Sequence, residues 1–176
     1  LDCSGSMAGN KLAEMKSAAL QFIERQHSDG VRIAVLGFSN SVYTMASLSD
    51  SKATVSNAVN PLTAGGGTLM ANALRAASQE FGNSKADRYI LLFTDGQPSN
   101  QLDTLSAAAT CRKNGLTIIG VATPDVDKRY MEQLTADPSL VFPATLGSFE
   151  QAFRQAEKKI TGRATSVAAG NTAVDE

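Results

Sequence analysis

Apolar residues follow two rhythms along the chain, a spacing of three and four residues that alternates with short unbroken runs. Over 11–26, Leu12, Met15, Ala19, Phe22 and Ile23 share one face and predict a helix closed at Asp29-Gly30. The β-rich run over 31–38 suits a strand covered on both faces, and 42–45 follows closely enough to return beside it as an antiparallel edge strand. Asp50 or Ser51 caps a short helix to about Val59. Thr68 stands where a helix to Phe81 should begin, with Leu69, Ala73, Leu74 and Ala77 facing inward. A strand over 88–94, a helix over 102–113 closed by Asn114-Gly115, and a strand over 116–121 come next. A helix over 128–135 and a short strand over 140–142 precede a last helix through Phe149, Phe153, Ala156 and Ile160, opened by a capping box of Ser148 and Gln151. Beyond it the chain turns small, polar and patternless, so 1–160 reads as one domain and 161–176 as a linker or disordered tail.

Strands separated by helices predict an α/β fold, doubly wound and Rossmann-like, with a mainly parallel sheet, helices on both faces and one antiparallel edge strand. Ligands in such folds collect at the carboxyl ends of the strands. Asp2, Thr94 and Asp95 all fall at that edge, and the loop bearing Thr68 can reach it. Asp2 should end a strand, yet only Leu1 precedes it, against a usual length of about five or six residues. The first central strand is therefore expected to be truncated before Leu1.

The 176 residues carry 16 Lys and Arg against 17 Asp and Glu with no basic cluster, which excludes a nucleic-acid footprint and a polybasic membrane arm. No apolar run is long enough to insert into a membrane. Cys3 and Cys111 lack a CxxC partner or a nearby histidine, so both are expected to be small buried apolar residues rather than zinc ligands. So few cysteines suit a reducing compartment, and a cytoplasmic location is expected. His27, the only histidine, is expected to be a solvated or helix-capping residue.

Three clusters of oxygen donors remain: Asp2, Ser4 and Ser6 around Gly5; Thr68 after Gly65-Gly66-Gly67; and Asp95 with Gly96 after an apolar strand. Each alone is a common turn or cap. Together, at one edge of one sheet, they form a hard-oxygen donor set suited to a magnesium-like ion that keeps several waters.

Asp2-Cys3-Ser4-Gly5-Ser6-Met7, the Gly65-Gly66-Gly67-Thr68 turn and Phe93-Thr94-Asp95-Gly96 resemble the von Willebrand factor type A domain with an intact metal-ion-dependent adhesion site, of a bacterial-type intracellular kind. The resemblance implies a single Mg2+ (or Mn2+ or Ca2+) ion, with Ser4 and Ser6 as direct ligands. Asp2 and Asp95 would ligate directly or through water, and Thr68 would join in the ligand-bound form. It also implies a protein partner whose Asp or Glu completes the coordination, and a binding module rather than an enzyme. Met7-Ala8-Gly9-Asn10 offers no acid for a second, neighbouring ion. Two rivals stay open. One is a magnesium phosphotransferase or phosphatase with Asp2 as nucleophile, although Ser4 stands where a second carboxylate is wanted. The other is a regulatory domain of the same family in an ATPase or kinase assembly.

Overall fold

The computed structural model describes residues 1–26 and 30–172. His27 and residues 173–176 of the expected tail lie outside them. Among the described residues six α-helices and five strands follow in the order α1 Asn10–Arg25, β1 Ile33–Phe38, β2 Val42–Ser49, α2 Lys52–Val59, α3 Met70–Glu80, β3 Tyr89–Thr94, α4 Gln101–Lys113, β4 Thr117–Ala122, α5 Lys128–Thr135, β5 Val141–Pro143 and α6 Phe149–Thr172. The α/β, Rossmann-like architecture read from the pattern is the one adopted. None of the described helices is long and apolar enough to cross a membrane.

β3, β4 and β5 pair in parallel in that order, while β2 returns antiparallel along β1 as its edge strand. These two pieces meet through Leu1–Cys3. The Leu1 ammonium donates to the Leu36 carbonyl at 2.8 Å, Phe38 N–H to Leu1 O at 3.1 Å, and Cys3 N–H to Phe38 O at 2.8 Å. On the other side Asp2 N–H donates to Phe93 O of β3 at 3.1 Å. Leu1–Cys3 thus lies between β1 and β3, with Asp2 bridged in parallel to Phe38, and Leu1, Val35, Leu36, Leu91, Leu92 and Phe153 are among the residues lining an apolar cavity of about 240 Å3.

Alternation along the strands separates two cores. Phe93, Ile119 and Val121 face α1, α2 and α6, where Phe93 lies 4.9 Å from the Phe149 ring and 5.9 Å from that of Phe153. Ile90, Leu92 and Ile118 face α3, α4 and α5. Helices therefore cover both faces, as expected. Gly37 and Gly120 let the layers close: a Cβ at Gly37 would stand 2.5 Å from Leu62 Cδ2, and one at Gly120 2.6 Å from Met131 Cε.

Three local expectations change. Thr68 does not cap α3, which begins two residues later, because Ser99 accepts the Thr68 N–H and Ser39 O accepts that of Leu69, fixing this stretch as a loop. Ser148 does not form a capping box: its hydroxyl turns back to Thr145 O, and Glu14 of α1 accepts Gly147 N–H and Phe149 N–H at 2.8–2.9 Å instead. Helix α6 also continues to Thr172 rather than giving way to a tail at 161. The run holds several alanines, the best helix formers, so helix persists without an apolar stripe.

Candidate metal centre

Strand ends deliver the acidic residues. Asp2 closes the central strand and is paired between β1 and β3, while Asp95 follows Thr94, the last residue of β3. Their side chains meet at the carboxyl edge of the sheet, where a 3₁₀ turn over Gly5–Met7 brings Ser6 back toward Ser4. The two hydroxyl oxygens are 3.0 Å apart, and Ser6 Oγ donates to Asp95 Oδ1 at 2.7 Å.

Each carboxylate is held by groups of the protein itself. Asp2 Oδ1 accepts Ser4 N–H at 2.8 Å and its Oδ2 accepts the Thr94 hydroxyl at 2.7 Å, with both side chains fully buried. Thr94 Oγ1 in turn accepts Gly96 N–H at 3.3 Å, so one hydroxyl joins the two strand ends. Asp95 Oδ2 accepts Lys11 Nζ at 2.9 Å. That bond is the main reason the Lys11 ammonium holds its proton more tightly than an ordinary lysine. The charge of Asp125, with Oδ2 3.6 Å from the same Nζ, adds to the effect.

The glycine loop is fastened to this turn by backbone. Gly65 N–H donates to Cys3 O at 2.9 Å and Gly5 N–H to Gly66 O at 3.0 Å. Asn40 Oδ1 accepts Gly67 N–H at 2.6 Å, and a Cβ at Gly66, whose φ is +78°, would stand 2.6 Å from Asn40 Nδ2. Thr68 is therefore carried beside the serine turn, its amide and carbonyl both bonded to Ser99. All five residues singled out in the sequence converge on this edge. Directly linked are Asp2 with Ser4, Ser4 with Ser6, and Ser6 with Asp95, while Thr68 is carried by the glycine loop.

Sequence reasoning missed Lys11, Asn40 and Ser99. For Lys11 a signal existed: a cation in the first turn of α1 opposes the helix dipole. Asn40 and Ser99 act through space from loops and leave no pattern in the chain. Among the described residues no group of three or more His, Cys, Asp or Glu side chains gathers anywhere, so the candidate centre is two carboxylates with hydroxyls. That donor set is hard and oxygen-only, and its charge already draws one cation, the Lys11 ammonium. The residues fit a divalent ion of the magnesium class, or zinc bound through oxygen.

The family model for the von Willebrand factor type A domain matches residues 1–158. An uncharacterised protein of Synechocystis is 37% identical over 101 residues, covering 55% of this chain and 24% of that protein. The collagen alpha-6(VI) chain of Mus musculus is 28% identical over 156 residues, 81% of this chain and 7% of the collagen. The chain thus spans a quarter or less of these relatives. Among solved structures, the vWF domain of a type V pilus tip protein from Porphyromonas gingivalis superposes with a TM-score of 0.82 at 14% identity, over 91% of this chain and 92% of that one. A mussel byssus matrix protein with a zinc-occupied MIDAS motif gives 0.76 at 23% identity, over 88% and 43%.

Proposed function

The chain belongs to the von Willebrand factor type A domain family, and from that membership we propose that it is a protein-binding module whose site holds one divalent cation. Domains of this family typically mediate protein interactions. The observation that carries the reading is the convergence of Asp2, Ser4, Ser6 and Asp95 at one edge of the sheet, from segments about ninety residues apart in sequence. Ser4 and Ser6 would bind the ion directly, Asp2 and Asp95 directly or through water, and Thr68 would join from the glycine loop in the ligand-bound form. Bound there, the ion supplies a Lewis-acidic positive centre for an Asp or Glu of the partner.

Both Asp2 oxygens already accept strong hydrogen bonds in a fully buried setting. That burial supports binding over phosphoryl transfer, for which the nucleophilic oxygen must be open to the phosphoryl group. The surroundings support protein contact. Tyr43 at the start of β2, Leu102 in the first turn of α4 and Leu146 after β5 are exposed, and all three leave the sheet at the edge that carries the site. Exposed large apolar side chains at the same edge as a polar site suit a protein surface.

Titration calorimetry of Mg2+ and Mn2+ into metal-free protein, with and without acetate as a carboxylate ligand, tests this. One site is expected, lost in the Ser4→Ala/Ser6→Ala variant. Absence of binding under both conditions, or undiminished binding by the variant, overturns the proposal.

A further inference from the structure

Lys11 occupies a place that helix chemistry disfavours. It is the second residue of α1, where backbone N–H groups leave partial positive charge, and lysine there adds like charge to like. A local rule broken in this way is commonly compensated at a functional site. Here the compensation is Asp95, whose carboxylate is fully buried and whose Oδ2 lies 2.9 Å from Lys11 Nζ. Asp125, at 3.6 Å and 70% exposed, is the weaker partner. With Ser6 on Oδ1 and Lys11 on Oδ2, both oxygens of Asp95 are engaged, and its charge is balanced before any ion arrives.

We propose that Lys11 is a positioning residue of the site, a resident counter-cation that weakens metal binding and strengthens capture of an acidic ligand by the loaded site. This rests on the reading of the site as a metal platform. The reasoning is charge arithmetic. Two carboxylates would cancel the charge of a divalent ion. With Asp95 balanced by Lys11 and the exposed Asp125 screened by solvent, Asp2 alone opposes it, and about one positive charge remains to attract a carboxylate. The same ammonium repels the entering cation, so the two affinities move in opposite directions when it is removed. An ordinary structural ion pair has no such signature: its loss lowers stability and leaves both affinities unchanged or weakened.

The test compares wild type with Lys11→Met, which keeps the aliphatic stem, and Lys11→Arg, which keeps the charge. Mn2+ affinity is measured by calorimetry, acetate affinity on the Mn2+-saturated proteins, and melting temperature with and without Mn2+. Lys11→Met is expected to bind Mn2+ about tenfold more tightly and acetate about tenfold more weakly, as loss of one nearby, partly screened charge implies. Its metal-free form should melt lower and gain more on adding Mn2+. Lys11→Arg should follow wild type in both affinities. Equal or weaker Mn2+ binding by Lys11→Met, beside a wild type that does bind, overturns the role of Lys11 and leaves the metal platform standing. Binding by Lys11→Met but not by wild type supports the role in its strongest form. If neither protein binds Mn2+, with or without acetate, both readings fall. If Lys11→Met does not fold, a Lys11→Arg affinity differing tenfold from wild type, with unchanged melting, overturns the proposal by itself.

Discussion

Thr94→Val removes one hydroxyl and almost no volume. That hydroxyl donates to Asp2 Oδ2 at 2.7 Å, and neither side chain is exposed to water. A hydrogen bond to a charged group contributes about 1.5–3 kcal/mol, and without it the carboxylate oxygen has no solvent to turn to. For a domain of this size each kcal/mol moves the melting temperature by about 2–4 °C, so the drop should be about 3–12 °C. Valine suits a strand at least as well as threonine, so backbone preference works against the loss. Urea unfolding followed by far-UV circular dichroism, in chelator, gives the number. Thr94→Ser is the control: it keeps the donor and loses a methyl, costing about 0.8 kcal/mol. A valine variant within 0.5 kcal/mol of wild type, or a serine variant worse than the valine, would refute the claim that Thr94 holds Asp2 by hydrogen bonding.

Two further outcomes follow from packing. Gly37→Ala should cost about 1–3 kcal/mol, because the new Cβ meets Leu62 Cδ2 at 2.5 Å and Cys3 Sγ at 3.4 Å. Pairing it with Leu62→Ala in a double-mutant cycle should recover part of that cost, and strict additivity of the two losses would show that Leu62 is not the obstacle. Burial raises the thiol pKa of both Cys3 and Cys111. A thiol-specific chromogenic reagent at pH 8 should therefore find both only after unfolding in guanidinium, whereas rapid labelling of native Cys3 would mean that the junction around Leu1–Cys3 opens readily.

Periodicity carried most of the architecture. The 3.6-residue stripe through Met15, Ala19 and Ile23 placed α1 within a residue of its bounds, and Asn114-Gly115 marked the end of α4, where Gly115 has a φ of +84°. Such signals are local and survive in a linear reading. The misses were made across space. Glu14 caps α6 from 135 residues away in sequence, a contact that exists only once α1 and α6 pack. Ser99 and Ser39 move the start of α3 away from Thr68 by taking backbone groups that an N-cap would have used. The same division runs through the site. Asp2, Ser4, Ser6, Thr68 and Asp95 stand out as candidates because small oxygen-bearing residues cluster with glycine in the chain. Lys11 shows there only as a cation against the usual charge preference of a helix start, and its distance to Asp95 gives that departure a role.

The candidate centre also has a mechanical side. Thr94, the last residue of β3, donates to Asp2, and Asp95 beside it accepts from Ser6. Both side-chain bonds therefore tie the Asp2–Ser6 segment to the end of β3, about ninety residues away in the chain. The residues proposed to hold an ion are thus also stitches between those two segments. Strain that pulls the segments apart would reach these residues directly, and the bonds that shape the donor set would register it.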